Sequence, residues 1–413
     1  MQNWGTYASL YKIVWRGMGG GMWPCWRSGF RVPTPAKTPL RISRLIQSAT
    51  DGPLYALQDV PSKGKGLIAT RNILKGTRIL SEQALITLPA PDVGEETAWL
   101  RSLCQQVEAL SSDQRRAFLS MHNTDTFMNA TERYHGIFRL NSLPMDVVRE
   151  AIVTIKKEAT VTIGSGIFLD ASRINHACDN NSQPMWNERI QRHTVHALRD
   201  IRAGEEITIT YIPPFKNYQA RQRELQERFK FTCSCGLCSL PEEQREVNDR
   251  RAERCEDAYQ RSTQLKHQFH LHAKSGCMLL GIAPLNIAAS IFYYAFDMLA
   301  CYGEQVQLFE ELGLEDINLA ILLTRAATHC ITFGDLARGR ILAQRAASVS
   351  KTAMGGDSEL AIECADLARC PSEHPLYGVS MTLKTTVEEE PQGLSPEDFE
   401  DWLWRRSDRP PSN

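Results

Sequence analysis

Ser172-Arg173-Ile174-Asn175-His176-Ala177-Cys178-Asp179-Asn180-Asn181 follows a short apolar run, Gly166-Ile167-Phe168-Leu169. Taken alone, an Asn-His pair at the end of such a run reads as a turn with a capping side chain. Asn175 and His176 nevertheless place several donors and acceptors at one point of the chain. On the C-terminal side, Gly204-Glu205-Glu206 turns into Ile207-Thr208-Ile209-Thr210-Tyr211, an alternating strand whose pleat fixes the direction of Tyr211. Beyond it, Cys233-x-Cys235-x-x-Cys238 puts three thiols side by side. Structural zinc takes four ligands in a closed tetrahedron, so one more is needed, and Cys178 is the candidate. A metal held there would tie the C-terminal segment onto the Asn175-His176 loop and help to fold it.

On the N-terminal side, Val60-Pro61-Ser62-Lys63-Gly64-Lys65-Gly66-Leu67-Ile68-Ala69 is a glycine-rich turn running into a strand. It lacks the G-x-x-x-x-G-K-[ST] spacing of a phosphate-binding loop. Arg71 to Ile79 and Arg199 to Ile207 share one shape, strand, glycine turn, strand, and both read as hairpins. Between them, Ala98, Leu100, Leu103, Val107 and Leu110 fall at helical spacing, and Ser111-Ser112-Asp113 can cap a further helix. This predicts a helical insertion over about residues 91–132. Asn141 then reads as a turn residue, with helix expected through Val147, Val148, Ile152 and Ile155.

At 413 residues, 42% of them hydrophobic, the chain can hold two or three domains with cores of their own. A net charge of −1 gives no global drive toward nucleic acid. Twelve cysteines would suit a disulfide-rich secreted chain, but the size, the clustering of three thiols and the lack of a clear secretory signal point to a reducing compartment. No apolar run reaches the roughly 18 residues of a membrane helix. The first 50 residues hold five Arg, two Lys and four Trp with no Asp or Glu. That composition fits a mitochondrial transit peptide, a disordered basic extension, or a start placed too early. After Leu240 the chain turns helical: Glu242 to Lys274 is charged, whereas Leu285 to Tyr302 and Ile317 to Phe333 are apolar. The spacing is weakly similar to tetratricopeptide repeats. From Leu383 onward, Glu388-Glu389-Glu390-Pro391 and Arg409-Pro410-Pro411-Ser412 read as a disordered tail.

Together these pieces resemble a SET-domain protein-lysine methyltransferase of the fungal and SET-and-MYND-like kind. The resemblance runs through Gly64-Lys65-Gly66-Leu67, Leu140-Asn141-Ser142, Ser172 to Asn181, Trp186-Asn187, Thr194 to Ala197, Gly204 to Tyr211, Arg221 to Leu225 and the Phe231-x-Cys-x-Cys-x-x-Cys run. It implies an α+β fold: small β-sheets with a pseudoknot where the Asn175-His176 segment threads beside Tyr211, a post-SET zinc site, and a helical C-terminal domain. The expected divisions are an extension (1–54), a SET domain (55–212), a post-SET Cys segment (213–240), a helical domain (241–375) and a tail (376–413). The implied activity is methyl transfer from S-adenosylmethionine to a lysine amine of a protein, histone or other. By position Tyr211 is the catalytic tyrosine, and Lys63, Lys65, Gly66, Leu67, Asn141, Asn175, His176 and Phe231 touch the donor. Zinc falls to Cys178, Cys233, Cys235 and Cys238.

Such an enzyme would act as a monomer in the nucleus or cytoplasm, without nucleic acid or membrane as partner. The chain departs from the pattern at Ala177 and Asn180, where relatives carry Ser and Pro, and at Phe229, where some carry a second tyrosine. No MYND finger is visible between Leu67 and Asn141, where Cys104 is the one cysteine. A catalytically silent SET-like scaffold, binding protein partners through its helical domain, is the alternative. The neutral charge balance and the lack of a basic-aromatic stripe argue against a zinc-dependent nucleic-acid binder.

Overall fold

The structure, a computed structural model, describes residues 52–90, 94–147, 161–274 and 285–406. Two units separate, residues 1–53 and 54–413. The basic extension lies almost wholly outside the described residues, as do Val148, Ile152, Ile155 and the final Arg409 to Ser412. In chain order the second unit runs β1 (Tyr55–Val60), β2 (Gly64–Ala69), β3 (Arg78–Glu82), β4 (Ile86–Leu88), α1 (Glu96–Ala109), α2 (Ser112–Leu119) and α3 (Ala130–Asn141). Then come β5 (Leu143–Val147), β6 (Val161–Ile167), β7 (Asn175–His176), β8 (Ser182–Asn187), β9 (Arg192–Ala197) and β10 (Glu206–Ile209). These strands form three small sheets, ordered β1-β2-β10-β7, β3-β9-β8 and β4-β6-β5.

The two glycine turns read as hairpins are instead crossovers between sheets. The first carries the chain from β2 to β3 and the second from β9 to β10. Pairing runs between the two turns: β2 with β10, β3 with β9, and Ile73 with Ile201 in an isolated bridge. Ile73 and Ile201 are each 1% exposed, so this arrangement seals apolar residues that two self-contained hairpins would leave at the rim. Gly76 and Gly204 sit at φ 80° and 82°, a region that side chains other than glycine's rarely tolerate.

The pseudoknot is short. β7 lies parallel to β10, with Thr208 facing Asn175 and Ile209 facing His176. Asn181 extends the ladder with its side chain: Oδ1 accepts from Thr208 N (2.8 Å) and Nδ2 donates to Glu206 O (2.8 Å). A carboxamide offers one donor edge and one acceptor edge, which is what an open strand edge presents.

The helical insertion extends to Asn141, so Asn141 closes α3 rather than occupying a turn. Trp99, Leu103, Val107, Phe118, Ile137 and Phe138 pack these helices onto Ile86, Leu88 and Ile167. The helix expected through Val147 begins instead as strand β5, paired with β6. Pro144 has no N–H to give a helix interior and is accommodated on this edge strand.

Past β10 follow α4 (Tyr218–Phe229), α5 (Glu242–Lys274), α6 (Leu285–Glu311), α7 (Ile317–Thr332), α8 (Leu336–Met354), α9 (Glu359–Arg369) and α10 (Pro396–Leu403). Ala320, Ala326, Ala327, Ala337, Ala343 and Ala346 are fully buried and let α7 and α8 approach closely. α8 also covers β8 and β9, so His193 through Ala197 are buried in succession rather than alternately. Arg78 on β3 links the sheets to the helical region, paired with Asp357 and donating to His196 Nε2 (3.1 Å). The tail is not disordered over 376–406. Leu383, Leu403 and Trp404 are buried, and the fully buried Asp335 accepts from Thr385 Oγ1 (2.7 Å) and pairs with Arg405 (2.7 Å). A few apolar anchors and one buried carboxylate outweigh a polar composition.

Candidate active site and thiolate cluster

Tyr211 stands just past the end of β10 and is held at both ends. Its backbone N–H donates to His176 Nδ1 (3.0 Å) and its hydroxyl to the Ile174 carbonyl (2.6 Å). The ring is half-buried and lies 5.0 Å from Phe229 and 5.3 Å from His176, centroid to centroid. Phe231 completes this aromatic wall, 6.0 Å from His176. The hydroxyl hydrogen is committed to Ile174, so the oxygen lone pairs are what Tyr211 can offer a ligand.

A polar group forms beside this wall, centred on Glu206. Lys63 Nζ pairs with it at 2.7 Å, and Asn175 Nδ2 donates to its Oε1 (2.8 Å) and to the Lys65 carbonyl (3.2 Å). Gly66 leaves the room for this: a Cβ there would lie 2.7 Å from Asn175 Nδ2 and 2.9 Å from Glu206 Oε1. Glu206 had no assigned role in the sequence, where it is one of 48 acidic residues, with partners 143 and 31 positions away.

The other expected donor-contacting residues fall differently. The Lys65 ammonium turns to Asp59 (3.2 Å), and the Leu67 side chain is sealed in the core at 0% exposure, leaving only backbone to face a ligand. Asn141 is held at the end of α3, where Nδ2 donates to His122 O (2.8 Å) and Ile137 O (2.7 Å). Both its hydrogens are spent there, so Oδ1 is the atom it can present.

Cys178, Cys233, Cys235 and Cys238 converge, with all four sulfurs within 4.8 Å of one another and none in a disulfide. Tetrahedral zinc with Zn–S of about 2.3 Å sets its sulfurs about 3.8 Å apart. The Cys178 sulfur lies 3.5 Å from that of Cys238 and 4.0 Å from that of Cys233. Hydrogen bonding from Cys178 holds the Cys233 thiol well below the ordinary range and draws Cys235 down to about 5. The donor set is soft and clustered, and it fits a zinc ion.

The surroundings are built to match. The Cys178 N–H points at the Cys235 sulfur (3.4 Å), Gln222 bonds both N and O of Cys233 (2.9 Å each), and Asp179 accepts from Leu237 N (3.1 Å). Arg221 is 7% exposed. Burial works against its charge, but the thiols of Cys178 and Cys238, with Asp249, outweigh it and raise its pKa above arginine's usual value. Sequence reading missed Arg221 as a partner of the cluster; its place on α4 shows only in three dimensions.

The comparisons with known proteins agree with this arrangement. The SET domain family matches residues 64–212, which run from β2 through Tyr211. Histone-lysine N-methyltransferase set5 of Schizosaccharomyces pombe is 29% identical over 352 residues, covering 85% of this chain and 94% of that protein. Two further matches are local. Histone-lysine N-methyltransferase SET5 of Scheffersomyces stipitis is 45% identical over 80 residues, 18% of this chain and 16% of that protein. Histone-lysine N-methyltransferase SMYD3 of Homo sapiens is 33% identical over 76 residues, 18% and 17% of the two chains. Residues 64–212 thus match a SET domain, and the relatives named here are histone-lysine N-methyltransferases.

Proposed function

We propose that this chain transfers a methyl group from S-adenosylmethionine to the side-chain amine of a lysine in a protein substrate. The observation that carries the reading is Tyr211, fixed through its hydroxyl on the Ile174 carbonyl (2.6 Å) next to the Asn175-His176 segment. S-adenosylmethionine supplies a methyl group on an electrophilic sulfonium. The chain's own task is alignment and desolvation. Tyr211 offers its lone pairs to the amine, and Phe229 and Phe231 keep water from it. Removing water favours the neutral amine that must attack, against an ordinary lysine pKa of about 10.4. Holding the partners in line is worth several kcal/mol of barrier.

Asn175 and Lys63 would address the polar groups of the donor, Asn141 Oδ1 its ammonium, and Phe231 the face of its adenine. The zinc ligands would be Cys178, Cys233, Cys235 and Cys238, whose closed set leaves no position for substrate and so serves folding. Lysine-bearing histones are candidate substrates, in the nucleus or the cytoplasm, where thiolates stay reduced. Among the described residues no helix is long and apolar enough to cross a membrane.

Calorimetric titration with S-adenosylmethionine tests the reading. The parent should bind it, and Asn175→Ala should bind about tenfold more weakly, the loss of one good polar contact. Equal affinities would remove Asn175 from the site. A parent that binds no donor would leave a catalytically silent scaffold.

A further inference from the structure

We propose that His176 is a positioning residue that couples the thiolate cluster to Tyr211, so that the metal site sets where the tyrosine hydroxyl stands. Only the kinetic consequence rests on the methyl-transfer reading. His176 is 3% exposed, and both its ring nitrogens are engaged within the protein. The Tyr211 N–H points at Nδ1 from 3.0 Å. A donor aimed at Nδ1 requires a lone pair there, so the ring proton resides on Nε2. Nε2 lies 3.2 Å from the Cys178 sulfur, and with the tautomer fixed from the tyrosine side, Nε2–H donates to that sulfur.

The imidazole is rigid, so displacement of the sulfur turns the ring and moves Nδ1 with it. Tyr211 is thereby anchored twice to one short stretch: its N–H on His176 and its hydroxyl on Ile174, two residues earlier. Two residues later, Cys178 enters the metal set, its own N–H already directed at Cys235. Hydrogen-bond donors of this outer-shell kind orient metal ligands, and losing one commonly costs about 10- to 100-fold in metal affinity. Neither ring nitrogen remains for the methyl donor. The structure thus gives the His176 side chain a task other than the donor contact implied by resemblance.

Two isosteric replacements in the zinc-loaded full chain cut the link on opposite sides. His176→Asn keeps an acceptor at the Nδ1 position and loses the donor to Cys178. His176→Gln keeps a donor at the Nε2 position and loses the acceptor for Tyr211. The readouts are zinc loss to a competing chelator, hydrogen exchange of the Tyr211 amide, and kcat with KM for donor and protein substrate. Zinc affinity should fall about tenfold in His176→Asn alone. Exchange at Tyr211 should accelerate at least tenfold in His176→Gln alone. Both variants should lose about tenfold in kcat, with KM for the donor unchanged. His176→Asn that loses zinc affinity at full kcat would overturn the coupling, as would a pair that behaves alike in zinc loss and amide exchange. If the parent shows no turnover, the methyl-transfer reading fails by itself, and the split between zinc loss and amide exchange still decides the link.

Discussion

Gly66 brings the backbone within reach of three side chains at once. A Cβ there would meet Asn175 Nδ2 at 2.7 Å, Val60 Cγ2 at 2.8 Å and Glu206 Oε1 at 2.9 Å. Gly66→Ala should therefore push Asn175 off Glu206 and weaken donor binding about tenfold, with a stability loss of about 1–3 kcal/mol. Gly64 is the control. It sits at φ 77°, and a Cβ there would meet nothing within 4 Å, so Gly64→Ala should cost about 1 kcal/mol in backbone strain and leave donor affinity alone. Calorimetry and thermal melts on the two variants separate space from strain. At this scale the sequence was readable where chemistry is local: an Asn-His pair, a tyrosine at a strand end, three thiols in a row. It placed Glu206 and Arg221 within matching stretches but gave neither a role, because their partners are distant in the chain and their residue types occur throughout it.

The shortest element, β7, joins the two halves of the site. Asn175 and His176 pair in parallel with Thr208 and Ile209, and the next turn delivers Cys178 to the cluster. The cysteines of α4's C-terminal loop thus brace the strand on which Asn175 lies. Cys235→Ser should remove one ligand, release zinc, and weaken donor binding as well, because β7 loses its brace. Metal analysis and donor titration on that variant check both effects, and zinc loss with unchanged donor affinity would separate the cluster from the site.

Element-level reading of the sequence found the helices of the insertion and C-terminal domain from their period. It mistook two crossovers for hairpins, because a glycine turn between strand-like arms gives no sign of which strands they pair with. It took β5 for the start of a helix because Val147, Val148, Ile152 and Ile155 also satisfy helical spacing.

Across the whole molecule, the β-body and the helical domain share buried polar groups. His196 is 1% exposed; burial, and then the nearby Arg78 charge, lower its pKa to about 4. Burial lowers that of His193 to about 3. Both histidines are neutral in the fold, whereas an unfolded histidine takes up its proton near pH 6.5. Their contribution is complete above about pH 6.5 and is lost as pH falls toward 4 and then 3. Melting temperature should drop between about pH 6.5 and 5, and His196→Gln should show a smaller drop over that window. An equal drop in parent and variant would remove His196 from the acid response. The order of residues 376–406 also belongs to this scale: composition marks the tail as polar, and only the docked fold shows Leu403, Trp404 and Arg405 meeting Asp335 and its neighbours.

The central claim is methyl transfer at Tyr211, and the most direct measurement is labelled methyl incorporation into protein lysine by the zinc-loaded full chain and by Tyr211→Phe, read by mass spectrometry. The change removes one hydroxyl and keeps the ring against Phe229 and His176. The parent should label lysine. Tyr211→Phe should bind the donor as the parent does and lose turnover about 10²- to 10³-fold, in kcat and kcat/KM alike. A parent that labels no lysine, or a Tyr211→Phe variant that turns over at the parental rate, would contradict the account.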